Sequence, residues 1–255
     1  MILTYIFTLI LGACVGSFLN VLIYRTPNNL SIVAPASHCP NCKTPLKWLD
    51  NIPVLSWLFL GGKCRYCKAT ISPRYIMVEL LNVVLWLLSV LVFWKVSPLV
   101  SVASALTCSV LIVITFIDLE HKWIPDRFQI ALLVIGIVLT IFDPITPYLD
   151  HILGLVVGAG VLGLFYGLGW LIYKKEALGV GDIKLMAVCG LILGWKATLV
   201  ALFFGAIIGA ISCLIIRAVK KDEDVEYAFA PYLALGTILA MFLGNQIITL
   251  YFSMF

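Results

Sequence analysis

Two aspartates, Asp118 and Asp182, stand at the ends of apolar segments in a chain of 255 residues. Asp118 closes the run 106–117, and Asp182 closes the phrase Gly179-Val180-Gly181-Asp182. A carboxylate beside a bilayer is costly, and one that persists there marks a functional site. Two carboxyls a few ångströms apart cannot both ionise cheaply, so such a pair shares a proton and titrates as a unit. The ionised member can take a proton from water while the protonated member polarises a scissile carbonyl, the roles exchanging as the amide breaks. The chemistry on offer is acid–base hydrolysis at a membrane edge. Each aspartate alone reads as a helix-end or cap residue in contact with water; the pair, with Gly-x-Gly-Asp, reads as catalytic. Glu120 and Asp126 are the rival acids, and Asp126, directly after Ile124-Pro125, reads as the N-cap of the next segment. No Ser–His or Cys–His arrangement competes, because His121 and His151 fall at opposite membrane faces and no thiol flanks either.

A second chemical cluster is made of thiols. Cys39-Pro40-Asn41-Cys42 and Cys64-Arg65-Tyr66-Cys67 are two C-x-x-C knuckles separated by 21 residues, close to the spacing of a four-thiolate zinc site. Both sulfurs of a knuckle reach one tetrahedral ion, four close the shell, and no position is left for a catalytic water. The expected Zn2+ is therefore structural. A reducing cytosol argues against two disulfides. His38 flanks the first knuckle as a non-ligand, and Cys14, Cys108, Cys189 and Cys213 read as small hydrophobes within apolar spans.

The elements that position these groups follow from composition. The chain is 62% hydrophobic and 12% charged, with a mean hydropathy of +1.09, whereas a soluble domain carries about a quarter charged residues. Apolar stretches near the roughly 20 residues that cross a bilayer recur throughout. They predict an all-α polytopic membrane protein with about eight transmembrane helices, at 2–24, 76–94, 98–117, 128–142, 151–173, 183–194, 197–216 and 229–252. With the N-terminus outside, all 17 basic residues except Lys95 and Lys196 fall on inner loops, as the positive-inside rule requires. That parity puts both termini outside and both aspartates at the cytosolic face. The first segment has no basic residue before Arg25, so it is not a cleavable signal. The net charge of +4 needs no nucleic-acid partner, and the acidic cluster at 222–226 reads as a solvated face. Between the first two spans, residues 25–75 shift to Pro, Asn, Lys and Cys. They are expected to form a small cytosolic, zinc-ribbon-like domain that needs its metal as a staple. The organisation read is thus a first helix (1–24), a four-cysteine zinc domain (25–75) and a transmembrane aspartic peptidase core (76–255).

At these residues the sequence resembles the bacterial type IV prepilin peptidases, or leader peptidase/N-methyltransferases. Gly16-Ser17-Phe18-Leu19-Asn20-Val21 with Tyr24-Arg25 is similar to the family's opening signature. Asp50-Asn51-Ile52-Pro53, flanked by the C-x-x-C pairs, is another family phrase, and Ser72-Pro73-Arg74-Tyr75 with Glu79 leads into the second span. The aspartate segments match as Ile-Asp-x(5)-Ile-Pro-Asp and Gly-x-Gly-Asp-Ile-Lys, and Ala230-Pro231-Tyr232-Leu233-Ala234 matches a Pro-containing segment near the C-terminus. The resemblance implies an aspartic protease of the bacterial inner membrane that removes the short basic leader of type IV prepilins and type II secretion pseudopilins. It cuts after a glycine on the cytosolic side and then methylates the new N-terminus with S-adenosylmethionine. It assigns Asp118 and Asp182 as the catalytic pair and Cys39, Cys42, Cys64 and Cys67 as zinc ligands.

The methyltransferase half rests on the resemblance alone, since no Gly-rich loop follows a strand. The cysteine domain, which cleavage-only archaeal relatives lack, favours the bifunctional type. Asn20 and Glu79, near the cytosolic ends of the first two spans, are candidates for a cofactor pocket or, equally, for hydrogen bonds between helices. Two other readings bear on the aspartates. A presenilin-type intramembrane protease shares Gly-x-Gly-Asp, but a tyrosine usually precedes its first aspartate, where Ile117 stands here. A proton-relaying transporter accounts for neither the cysteine domain nor the loop position of the aspartates.

Overall fold

Prolines, glycines and left-handed residues set where each apolar run becomes a helix and where it stops. The computed structural model describes residues 2–174, 178–220 and 227–254. They form α1 (Ile2–Arg25), a 3-10 turn (Trp48–Asn51), α2 (Leu55–Phe59), α3 (Arg74–Phe93), α4 (Pro98–His121), α5 (Asp126–Phe142), α6 (Tyr148–Tyr173), α7 (Val180–Leu193), α8 (Trp195–Lys220) and α9 (Ala230–Ser253). Among the described residues there is no strand. Lys175, Lys221 and the acidic run 222–226 lie outside them. Six helices are long and apolar enough to cross a membrane: α1, α3, α4, α6, α8 and α9. The fourth and sixth predicted spans are the shorter α5 and α7, of 17 and 14 residues. The chain is an all-helical, multi-pass membrane protein. Its short α2, inside the segment between α1 and α3, adds a helix that no apolar span predicts.

The chain divides into two compact units, Met1–Val92 and Phe93–Phe255. In the first, α1 and α3 pack through buried side-chain amides. Asn82 Nδ2 donates to the Gly12 carbonyl at 2.7 Å, and Asn20 Nδ2 to the Tyr75 carbonyl at 3.0 Å, each satisfying a polar group that lipid could not. The residues between these helices form two knuckles of matching geometry. Cys39 and Cys64 each accept a backbone N–H, from Lys43 and Lys68, and each donates its own N–H to the carbonyl of Thr44 or Ala69. Lys43 and Lys68 sit in the left-handed region, φ 56° and 60°, and isolated antiparallel bridges, His38 with Pro45 and Lys63 with Thr70, close the loops. This local repeat, Cys-x-x-Cys-Lys, is too short to stand out in the sequence.

In the second unit α4 is the enclosed helix: 72% of its apolar window is buried, against 22–33% for α6, α8 and α9. Ser97 caps it, accepting the Val100 N–H at 3.3 Å, and Pro98 occupies its first turn, where a missing N–H costs nothing. α4 runs one turn beyond Asp118 and ends with Lys122 left-handed at φ 55°. Pro125 would suggest that the helix stops soon after Asp118, but it restricts only the residue just before it, and the connection to α5 is confined to 122–125. Asp126 is not the N-cap of α5. Pro125 holds that position, and Asp126 reaches instead to Lys184 Nζ at 3.0 Å.

α6 and α7 pack backbone against backbone. A Cβ on Gly154 would collide with the Gly190 carbonyl, and one on Gly158 with the Met186 carbonyl. Small residues four apart allow this approach, and it fixes the position of α7, which carries Asp182. Gly154→Ala and Gly158→Ala should each destabilise the protein by about 1–3 kcal/mol through overpacking. Gly160→Ala, whose Cβ would meet nothing within 4 Å, should be neutral or stabilising by about 0.5–1 kcal/mol. Thermal unfolding midpoints in detergent check both directions.

Candidate active site and cysteine cluster

Asp118 and Asp182 arrive from opposite helix ends. Asp118 lies in the last turn of α4 and Asp182 in the first turn of α7. Both are buried, with 6% and 8% of their surface exposed, at the rim of the second unit. Their carboxyls lie within electrostatic reach of one another, so the structure brings together the two residues that the sequence singles out. Neither stands at a loose segment end; each is inside a helix.

Backbone groups hold the pair. Asp118 Oδ2 accepts the N–H of Ala230 at 3.2 Å. Ala230 is the first residue of α9, where N–H groups have no partner within the helix and the helix dipole favours a carboxylate. Pro231 follows and contributes no donor. At the other aspartate the Gly179 backbone lies against the carboxyl; a Cβ there would stand 3.1 Å from Asp182 Oδ2. The Gly181 carbonyl accepts Gln129 Nε2 of α5 at 3.2 Å, and the Ile124 side chain covers the same glycine. The Gly-x-Gly-Asp turn is therefore clamped from α5 and from the loop before it. Sequence reasoning missed Ala230 and Gln129. Ala230-Pro231 does carry a signal, a helix start after a polar loop, but nothing in it says that its free N–H meets a residue 112 positions away.

In the first unit the sulfurs of Cys39, Cys42, Cys64 and Cys67 all lie within 4.8 Å of one another, an arrangement that could hold a metal ion. Asp50, buried just beyond, organises the second knuckle. Its carboxyl accepts Arg65 Nε at 2.5 Å, the Tyr66 hydroxyl at 3.3 Å and the Lys47 N–H at 3.3 Å. The Arg65 side chain, which forms the strongest of these contacts, holds the Asp50 carboxyl below the usual carboxylate range against the opposing effect of burial. Arg65 and Tyr66 are the two residues between Cys64 and Cys67. The sequence marks Asp50 only as part of a phrase.

Asn20 and Glu79 face the interior of the first unit. Glu79 Oε2 accepts the Val54 N–H at 2.6 Å, and its carboxyl also takes a hydrogen bond from Ser17. Asn20 donates to Tyr75, while its buried Oδ1 has no partner.

The chain is similar to known proteins along most of its length. The family model described as the bacterial peptidase A24 N-terminal domain matches residues 10–95, and the one described as the type IV leader peptidase family matches residues 105–214. The prepilin leader peptidase/N-methyltransferase of Aeromonas salmonicida (strain A449) is 35% identical over 280 residues, covering 98% of this chain and 93% of the relative. The enzyme of the same name from Myxococcus xanthus (strain DK1622) is 39% identical over 226 residues, 87% of this chain and 67% of the relative. The type 4 prepilin-like proteins leader peptide-processing enzyme of Escherichia coli O78:H11 is 36% identical over 259 residues, 91% of each chain. No solved structure matches. With the aspartates and thiols placed as they are, and with relatives aligned over nearly the whole length, the chain belongs to the type IV leader peptidase family, among the prepilin leader peptidase/N-methyltransferases.

Proposed function

We propose that this protein is a bifunctional prepilin leader peptidase and N-methyltransferase of the bacterial inner membrane, serving type IV pilus biogenesis, type II secretion or both. Its substrates are type IV prepilins and pseudopilins, cleaved after glycine on the cytosolic side. The observation that carries the peptidase half is the buried juxtaposition of Asp118 and Asp182, with Ala230 N–H on one carboxyl and the Gly179 backbone on the other.

One aspartate accepts a proton from the attacking water while the other donates to the scissile carbonyl; as the tetrahedral intermediate collapses, the proton returns to the leaving amine. The Ala230 N–H fixes one Asp118 oxygen and leaves the other directed to chemistry. A prepilin, an apolar helix with a basic leader, presents its cleavage site at the inner face, where the bias of basic residues places both aspartates. The four thiolates hold a structural zinc that staples the cytosolic segment 25–75, and the closed shell leaves the metal no catalytic role. S-adenosylmethionine, when bound, supplies the methyl group for the new N-terminus. The peptidase core comprises residues 76–255, and both termini lie outside.

Asp118→Asn and Asp182→Asn should each lower leader removal on the order of a hundredfold or more, with the protein still inserted, as read by mass spectrometry of a purified prepilin. Normal processing by either variant rules out the pair. Ala230→Pro, which removes the N–H and also constrains the αR backbone of Phe229, should slow cleavage by at least roughly tenfold.

Metal analysis should find stoichiometric zinc in the wild-type protein and none after Cys→Ser change at all four cysteines; zinc retained by that variant excludes the ligand set. Asp50→Asn should keep the zinc but release it faster to a chelator, because Arg65 and Tyr66 lose their shared anchor.

A further inference from the structure

Two sequence phrases remain largely unused by the aspartate pair and the sulfur cluster: Ser17 to Arg25, and Asn51-Ile52-Pro53. They meet at a cavity of about 360 Å³ formed within the unit Met1–Val92. Ser17, Phe18, Val21 and Arg25 line one side of it, spaced so that they share one face of α1. Cys14 lies at the far end, and eleven residues of helix separate it from Arg25, about 16 Å at 1.5 Å per residue. Residues of the loop 32–37, with Asn51 and Pro53, line the other side. The lining mixes apolar side chains with Ser17, Ser37, Asn51 and Arg25, and the cavity opens to its surroundings.

Arg25 gives the cavity its chemistry. The residue is 7% exposed, and its guanidinium donates to two neutral carbonyls, Ser31 and Pro35, each at 2.7 Å. Among the described residues no carboxylate pairs with it. A buried cation without a counter-charge is costly, and three of its five N–H donors are left over from these two bonds. The cavity is thus set to receive an anionic group at its Arg25 end and an apolar body along α1. Glu79 braces both walls from behind. It accepts the hydrogen bond of Ser17 on α1 and the N–H of Val54, a β-branched residue held at φ 63°, where such residues are strained.

We propose that this cavity is the S-adenosylmethionine site, with the cofactor's carboxylate held by Arg25 and its adenosine laid along the mixed apolar and polar lining, and that Glu79 is a positioning residue. This inference rests on the methyltransferase reading above. In the reaction, the neutral N-terminal amine of the cleaved substrate attacks the methyl carbon. The carbon–sulfur bond breaks with its electron pair kept by sulfur, and the resulting ammonium gives its proton to water. A phospholipid headgroup shares the anionic chemistry but has no use for the polar wall at Ser17 and Asn51.

The test is equilibrium binding of methyl-tritiated S-adenosylmethionine to full-length protein in nanodiscs, alongside mass spectrometry of a prepilin substrate. Zinc content and elution behaviour control for folding. Arg25→Gln, which keeps an amide for the loop carbonyls, should bind roughly ten- to a hundredfold more weakly. Arg25→Lys should stay within a few-fold of wild type, and Val21→Trp should fill the cavity and abolish binding. If Val21→Trp misfolds, the Gln and Lys variants decide, and equal binding by both overturns the proposal. Wild-type affinity in Arg25→Gln from a chain that methylates places the site elsewhere and leaves the methyltransferase reading intact. An anionic phospholipid retained by wild type and lost in Arg25→Gln, with S-adenosylmethionine binding unchanged, assigns the cavity to a headgroup and overturns the proposal. A wild-type chain that cleaves but neither binds nor methylates defeats the methyltransferase reading itself.

Discussion

The second unit is organised around the problem of keeping two like-charged groups buried and close. Asp118 and Asp182 are each more than nine-tenths buried, and carboxylates so placed are tolerated only with compensating dipoles or a shared proton. Helix ends supply the dipoles. α9 presents the N–H of Ala230, its first residue, to Asp118, and Asp182 occupies the first turn of α7, where the helix dipole favours a carboxylate. Three helix termini must therefore meet at one place, and much of the packing serves that end. The bare backbones of Gly154 and Gly158 let α6 seat α7, Gln129 and Ile124 pin the turn before it, and α4 is enclosed along most of its length.

The same device appears in different form around the thiols. A segment of about fifty residues has little apolar interior to order itself, and hydrogen bonds around the cysteines order its two knuckles. The two knuckles share a backbone pattern, each with a lysine in the left-handed region. Asp50 ties the turn at Trp48–Asn51 to the residues between Cys64 and Cys67. Removal of this carboxylate would leave Arg65 and Tyr66 without their common partner, so the Asp50 hub acts on the loop that carries two of the four thiols.

Residues whose chemistry announces itself are legible in the sequence. A carboxylate beside an apolar run and a pair of C-x-x-C knuckles are conspicuous because each is costly or rare in its setting, and hydropathy recovers α5 and α7 although both are short. Partners supplied by the backbone are not legible. Ala230 contributes only an N–H, Gly154 only the absence of a side chain, and Gln129 a single amide to a carbonyl. Each matters through a neighbour brought near by folding, which no local pattern encodes. The extra turn of α4 past Asp118 escapes for a related reason. Pro125 suggests an early end to the helix, whereas its steric reach extends only to the preceding residue, and the left-handed Lys122 makes the stop.

Proteolysis and methyl transfer ask for different surroundings, and on the proposed reading the chain meets both needs at the membrane edge. Amide hydrolysis consumes water and needs two carboxyls near solvent, which the last turn of one helix and the first turn of another provide. Methyl transfer needs a neutral amine and a bound methyl donor, which a cavity with one fixed cation for the donor's carboxylate can hold. The polar groups of the first unit fit the second requirement. Glu79 spends its hydrogen bonds on Ser17 and Val54, shaping walls and leaving Arg25 as the charged feature of the lining. On that reading the acids assigned to chemistry lie at helix ends, with Ala230 N–H on Asp118, whereas Glu79 ties the Ser17 hydroxyl on α1 to the Val54 N–H.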